Sequence, residues 1–403
     1  MKYSKKAVMG AVIAAIALTV SSLTATNAMS PKKAATCTSP ILIGAAMAQT
    51  GFMAPFDGPA LTTAQIAVDK LNAAGGVNGC QLKLTAVDTE TNPDKAQQIA
   101  TTFIAQGAKL LLVTCDADIN LKSAQVANAA GVLVIAPCVG STAMGPNNGL
   151  DLGYSLGSAV PGEAAIMAEY AFKKLGKTAT LFKDMSISYT TSQCDAFATR
   201  FKQLGGKVKS IQQFNQTQAG ALDKPVTAQV AAAKLDKSGV IALCSYPGGG
   251  AQALAAIRNG GISTPVISGF GMDGAFWMGA LPNLSNFYDV TYASVFGDDP
   301  SKKVQDLLAA FKAKTGQAAG TSGLITGASS IEAFAYAAKR AKSFDGKLLA
   351  AQFNKFVRIP LTAGPTSFTS TLHVNVNRPM AVLQVQNGKH MFIAYQSTSH
   401  PVL

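Results

Sequence analysis

The chain has 403 residues, a formal net charge of +13, 48% hydrophobic and 14% charged residues, and a single Trp. Its basic residues are scattered and no Arg-rich stripe interleaves with aromatics, which argues against a nucleic-acid partner and for a mildly basic surface. Once the first 28 residues are set aside as a processing segment, the remaining length suits two domains at ~150 residues each.

That segment comes first in chain order. Lys2, Lys5 and Lys6 form a basic n-region, residues 7–20 are a mostly apolar run, and Thr26-Asn27-Ala28 follows as a small-residue site. This is the pattern of a secretory signal peptide cleaved near Ala28. The run falls short of the ~20 apolar residues a bilayer span requires. No lipid-attachment cysteine follows it directly, since Cys37 comes after a polar stretch, so an exported and untethered protein is expected.

Beyond it, short apolar runs alternate with helical patterns. Strands are expected at residues 41–47, 81–88, 110–115 and 132–138, and again at 178–184, 208–214, 239–245 and 265–270. Helix-like stretches lie between them at 94–106, 162–175, 190–204 and 252–259. Such alternation predicts α/β architecture, with parallel sheets covered by helices on both faces. One junction recurs. NAAGGVNGCQLKL (residues 72–84), FKQLGGKVKSIQQF (201–214) and IRNGGISTPVISGF (257–270) each read helix, Gly-Gly, strand, and ANAAGVLVIAP (127–137) is a single-glycine version. Recurrence in both halves suggests two similar lobes. The glycines serve the helix-to-strand return. The opposite strand ends run into polar, turn-rich loops around Gln49, Asp116, Ser141, Asp184 and Tyr246. Ligands of open α/β sheets bind beyond the carboxyl ends of strands, so these loops imply a cleft between the lobes.

Six cysteines in an exported chain make disulfides the default. In the inferred topology Cys37 and Cys80 precede neighbouring strands, Cys115 and Cys138 end adjacent strands, and Cys194 and Cys244 lie near the cleft side of the second lobe. Among 15 possible connectivities this selects Cys37–Cys80, Cys115–Cys138 and Cys194–Cys244. Without a Cys-x-x-Cys pair, and with His373, His390 and His400 all near the C-terminus, no metal site is expected.

An apolar strand, QTGFMAPFDGPAL, a long helix, NAAGGVNG, a strand and Asp88 resemble the opening of the leucine/isoleucine/valine-binding protein family. Asn92-Pro93, Ile135-Ala136-Pro137, and Asp184 with Tyr189 fit the same pattern. The resemblance covers most of the chain after the signal segment. It implies a type I periplasmic binding protein with two Rossmann-like lobes and three hinge crossovers. The protein would be a monomer serving the membrane permease of an ABC importer, and it would close in the periplasm around one small-molecule solute, polar or amphipathic and branched-chain amino acid-like. No cofactor and no catalytic residue are implied. Lobe 1 is placed at residues 40–156 and 300–365, lobe 2 at 157–299 and 366–403.

Carried over residue by residue, the resemblance implies an aromatic wall at Phe52 or Phe56 and backbone contacts near Cys138, Gly140 and Ser141. It also implies tyrosines at Tyr189 and Tyr246, and an ammonium-gripping acid at Asp273. Asp116 stands where the family offers a small hydroxyl residue, and a carboxylate there should repel the carboxylate of an amino acid. Either that loop is displaced or the ligand is not an ordinary α-amino acid. Each pick has a plainer counterpart: Phe52 and Phe56 as core aromatics, Asp273 as a turn residue, Asp118 as a helix cap, and Trp277 as lining or capping the cleft.

Other classes compete. GFGMDG (residues 269–274) fits G-x-G-x-x-G after a strand, with Asp289 about 20 residues on. However, Pro282 soon interrupts the long helix that motif should open. A Ser-His-Asp hydrolase lacks a suitably placed histidine. Asp116 and Asp118 lie in one loop, whereas the flanking acids of sugar hydrolysis come from separate segments. A ligand sensor for a small organic acid or aromatic compound, built on the same bilobed domain, stays open beside the importer reading.

Overall fold

The computed structural model describes residues 37–217 and 219–402, so the expected signal segment lies outside the described residues. All of them belong to one unit of chain, Ala35–Leu403.

The first lobe begins with β1 (Ile41–Met47), α1 (Ala54–Ala73), β2 (Leu82–Asp88), α2 (Pro93–Ala105), β3 (Leu110–Val113), α3 (Ala117–Ala129), β4 (Leu133–Ala136) and β5 (Gly153–Ser155). The five strands form a parallel sheet in the order β2-β1-β3-β4-β5. Its central strands read as unbroken apolar runs because both faces are covered. Side chains alternate with period two. Ile43, Leu110, Leu112 and Ile135 pack into one core with Ala64 and Val68 of α1, while Leu111, Val113 and Val134 pack with Phe103 of α2 and Ala124 of α3 on the other face.

The second lobe carries α4 (Val160–Tyr170), β6 (Thr178–Asp184), α5 (Ser188–Gln203), β7 (Lys207–Phe214), α6 (Thr227–Asp236), β8 (Val240–Cys244), α7 (Gly249–Asn259), β9 (Val266–Gly269) and β10 (Phe287–Thr291). The chain then returns to the first lobe with α8 (Lys302–Thr315), α9 (Leu324–Ala341) and α10 (Gly346–Phe353). Last come the hairpin β11 (Ile359–Leu361) and β12 (Gly364–Thr366), and the strands β13 (Met380–Gln386) and β14 (Lys389–Gln396). The second sheet runs β14-β13-β10-β9-β8-β6-β7, and β13 lies antiparallel to both of its neighbours. Its two faces again separate by parity: Leu181, Ala242 and Ile267 face α4 and α5, and Phe182, Ile241 and Leu243 face α6 and α7.

The alternation of strands and helices follows the sequence reading, with ends shifted by a few residues. The sequence reading names no element at β5, β10 or the β11–β12 hairpin, which are short or lack clear alternation, nor the helices α6, α8, α9 and α10. Strands β3 and β4 end at Val113 and Ala136, so Cys115 and Cys138 open the loops instead of closing the strands. The helix expected at 162–175 starts at Val160, and its last turn, Ala171–Leu175, widens into a π-helix. The Gly-Gly junction is a conformational requirement at Gly76, where φ is +81° and a Cβ would run into the carbonyl of Cys80. All three disulfides pair as the topology suggests, with Cα atoms 5.1, 4.9 and 5.5 Å apart.

Three passages join the lobes, at residues 156–159, 292–301 and 367–379. Ala159 N donates to Asn375 O at 2.7 Å, Ser155 N to His373 O at 2.8 Å, and Ser158 N to the Tyr292 hydroxyl at 3.3 Å. Arg378, fully buried, donates through Nη1 to Leu156 O and through Nη2 to Thr366 Oγ1.

Helices α1 and α9 approach so closely that a Cβ on Gly327 would meet the backbone of Ala60, whereas a Cβ on Gly58, also in α1, would meet nothing within 4 Å. Gly327→Ala should therefore cost ~1–3 kcal/mol as overpacking. Gly58→Ala should instead stabilise by ~0.4–1 kcal/mol through the unfolded chain. Urea midpoints of the two variants, moving in opposite directions, check both.

Candidate functional site

The carboxyl ends of both sheets converge on a cavity of about 150 Å³. Lobe 1 contributes Met53 and Phe56 from the start of α1, Cys115, Asp116 and Ala117 after β3, and Cys138 to Thr142 after β4. Lobe 2 contributes Val160 and Pro161 of α4, Ile187 just before α5, Ser188, Tyr189 and Ser192 of α5, Tyr246 after β8, and Phe270 and Gly271 after β9. The walls are mostly apolar, with hydroxyls, backbone groups and one carboxyl group set among them.

The lobe 1 side is fixed by a buried carboxyl. Asp57, in the first turn of α1, accepts from Ala48 N at 2.7 Å and Cys115 N at 2.9 Å, so one side chain holds the ends of β1 and β3. Burial pushes its pKa up to about 7. The Cys115–Cys138 bridge then ties the loops after β3 and β4 together at the cavity floor.

Asp116 caps α3 by accepting from Asp118 N at 2.7 Å. It is 7% exposed and lines the cavity. Burial, with Asp118 adding like charge, raises its carboxyl to about 7. The loop is therefore not displaced from the cavity. Asp118 neither caps α3 nor lines the cavity. It reaches across the cleft to the start of α5, whose own preceding residue Ile187 offers no side-chain cap. There its carboxylate accepts from Ser188 N and Ser188 Oγ, both at 2.8 Å. A carboxylate at a helix N-terminus meets unpaired N–H groups and the positive end of the dipole, here from the opposite lobe.

On the lobe 2 side, the Tyr189 hydroxyl donates to Glu163 Oε1 at 2.7 Å and accepts from Gly271 N at 2.8 Å. Its ring faces the cavity while its polar end is committed behind it. Glu163, fully buried, also accepts from Gln193 and from Phe270 N, and burial raises it to about 7. Sequence reading missed Glu163 because nothing local distinguishes it from a surface helix acid. Tyr246 is 6% exposed, and its phenol is raised by burial and by the charges of Asp184 and Asp116.

Of the expected site residues, Phe56, Asp116, Cys138, Gly140, Ser141, Tyr189 and Tyr246 come together around the cavity. Phe52 does not line it; its ring packs 5.5 Å from Tyr246 across the cleft. Asp273 also stands apart. It is fully buried, its Oδ2 accepts from Ser322 N near the start of α9, and burial raises it to about 6. It braces the two lobes instead of facing the cavity. Trp277 neither lines nor caps the cleft, since it packs against Phe287 and donates to Met272 O at 3.1 Å. The G-x-G-x-x-G stretch opens a single 3-10 turn, Phe270–Met272, not a long helix. Among the described residues, no group of three His, Cys, Asp or Glu is placed to hold a metal ion. Met53, Val160, Ile187 and Phe270 are not singled out by the sequence, because apolar residues at strand and helix ends look like ordinary core.

The periplasmic binding protein family model matches residues 40–389. The chain belongs to the periplasmic binding protein family. The binding protein is 24% identical over 242 residues to Leu/Ile/Val-binding protein homolog 3 of Brucella melitensis, covering 59% of this chain and 63% of that one. It is 32% identical over 104 residues to an amino acid binding protein of Pseudomonas aeruginosa, covering 25% and 27%. Against Leu/Ile/Val-binding protein homolog 1 of Brucella abortus, the match spans 26% of that relative's length. Its fold is that of LivJ from Streptococcus pneumoniae, solved with isoleucine, at a TM-score of 0.78 and 23% identity over 89% of this chain and 99% of that one. A Rhodopseudomonas palustris solute-binding protein solved with benzoate gives 0.74 and 16% over 90% and 98%.

Two expectations follow. Asp118→Ala removes both bonds to Ser188, worth about 0.5–1.5 kcal/mol in all. Solute affinity should fall ~2- to 10-fold while the melting point of the unliganded binding protein barely moves. The second concerns pH. Asp57, Asp116 and Glu163 at about 7, and Asp273 at about 6, lie above their ordinary values of 3.8 to 4.5. Between those limits the folded state binds more protons than the unfolded chain, so stability falls as pH rises through this window. The melting temperature at pH 5.5 should exceed that at pH 8, and calorimetry at the two pH values checks it.

Proposed function

We propose that the protein is the solute receptor of an ABC importer, capturing a small amphipathic solute of the branched-chain amino acid type in the cleft and delivering it to the membrane permease. The observation that carries this reading is the cavity itself, walled by both lobes and mostly apolar, with a few polar groups from each lobe set in its lining. An engineered apolar cavity of ~150 Å³ accepts benzene, so this one suits a solute with a compact branched or ring-sized body. The names of the Leu/Ile/Val-binding relatives agree with that size and chemistry.

Residues 40–156 with 300–365 and residues 157–299 with 366–403 would move as two bodies about the three passages. Phe56, Asp116, Cys138, Gly140, Ser141, Tyr189 and Tyr246 would meet the solute. Ligand contacts from both bodies favour the closed arrangement over the open one, which is all the mechanism needs. The work is binding, with no bond made or broken. The chain would act in the periplasm as a monomer after cleavage near Ala28. A second reading, uptake of a small aromatic acid, is favoured by the aromatic surface that Phe56 and Phe270 lend the cavity wall, their rings meeting edge to face at 5.4 Å.

Thermal unfolding against a panel of leucine, isoleucine, valine, benzoate, amides and sugars separates the two. A solute at 100 times its dissociation constant adds about 2.7 kcal/mol and raises the melting point by several degrees. Shifts with the aliphatic amino acids are expected; a shift confined to benzoate would favour the second reading. Tyr246→Ala should weaken the responding solute at least ~10-fold with the fold intact, and calorimetric titration of a folded variant with unchanged affinity would remove Tyr246 from the site.

A further inference from the structure

The cavity has an uneven charge inventory. Asp116 is the one carboxyl group among its lining residues, and none of those described is Lys, Arg or His. The other acids nearby are engaged elsewhere: Glu163 lies behind Tyr189, Asp118 bonds Ser188 across the cleft, and Asp273 braces Ser322. A solute entering between the lobes therefore meets one negative centre and no fixed positive one.

Neutral donors lie beside that carboxyl, in the loop after β4 that the Cys115–Cys138 bridge ties to the Asp116 loop. Ser141, a lining residue, accepts from Ala143 N at 3.2 Å through its Oγ, and its own hydroxyl proton has no acceptor among the described residues. The N–H groups of Gly140, Ser141 and Thr142 make no hydrogen bond within the described residues. Neutral hydroxyl and amide donors of this kind can accept a carboxylate without a counter-charge. An acid buried beside a like charge is unfavourable in its ionised form, and a cation at close range is what relieves it.

Resting on the receptor reading above, we propose that Asp116 of lobe 1 holds the ammonium group of the solute and sets which way round it lies, with its carboxylate directed to the Gly140–Thr142 loop. The amine is then the indispensable half of the head group and the carboxylate the secondary half. The repulsion that Asp116 exerts on a carboxylate is the orienting force: it excludes the reversed pose and disfavours simple carboxylic acids of the same shape.

Three probes sharing one branched body test this: leucine, 3-methylbutylamine, which lacks the carboxylate, and 4-methylpentanoate, which lacks the amine. Each is titrated calorimetrically into the native protein and into Asp116→Asn. Asparagine caps a helix as well as aspartate does, so α3 stays formed and the melting point serves as the check. The native protein should bind leucine, then the amine, and the acid at least ~10-fold more weakly than the amine, since an opposed charge pair at close range shifts binding by this order. Asp116→Asn should lose ~10- to 100-fold for leucine and the amine and hold or gain for the acid. Leucine affinity unchanged in Asp116→Asn, or an acid that outbinds the amine, overturns the assignment while leaving the receptor reading intact. No binding of any of the three overturns both.

Discussion

The cleft exists because the chain passes between its sheets three times at one place, and Arg378 clasps those passages together. Its guanidinium donates to the carbonyl of Leu156 in the first passage and to the hydroxyl of Thr366 at the start of the third, close to the Tyr292 hydroxyl of the second. Burial without a carboxylate partner lowers its pKa to about 10, so it stays cationic at neutral pH. A buried cation is costly and persists where backbone and phenol dipoles surround it. The same place gathers close approaches: Gly162 meets the backbone of Val376, and Asn375 receives Ala159 N. Two α/β lobes thus lie on either side of one joint, with the edges where their strands end turned toward the cleft.

That edge is fixed from within each lobe before the lobes meet. Asp57 and the Cys115–Cys138 bridge hold three strand ends of lobe 1 in register. In lobe 2, Asp184 gathers Ser186, Gln216 and Ser245 at the ends of β6, β7 and β8. Polar side chains thus do at the carboxyl ends what apolar packing does between the helices. In the proposed receptor role a rigid rim would matter, because groups held in place before binding lose little freedom when a solute arrives. The two rims also touch directly, through Asp118 with Ser188, Asp273 with Ser322, Phe52 with Tyr246, and Phe56 with Phe270 and Phe276.

The sequence carried most of the fold and part of the site. Runs such as Leu110–Val113 and Leu133–Ala136 announced doubly covered strands, and the Gly-Gly junctions separated one sheet end from the other. Disulfide pairing followed from strand adjacency alone. Site residues were legible where they sit at strand ends, as Asp116 and Tyr246 do. Asp273 misled, because its place after β9 is also at a strand end, and only its bond to Ser322 shows that it faces the returning chain. Glu163 and Arg378 were invisible, since a charged residue in a helix or a connecting segment reads as solvated until its burial is known.

What the sequence determined by itself is whatever follows from local geometry and the partition of side chains between water and core. Strands and helices, their alternation, the covered faces and the floor and rim of each sheet all recur with periods of two or 3.6 residues and need no distant partner. The tertiary structure alone decided what converges. That Asp118 meets an α5 terminus 70 residues away, that Arg378 spans passages more than 200 residues apart, and that Asp116 is the carboxyl left facing the cavity depend on sheet twist and on how two lobes sit about their hinge. Those are properties of the packed whole, set by sums over many contacts, and no short stretch of residues encodes them.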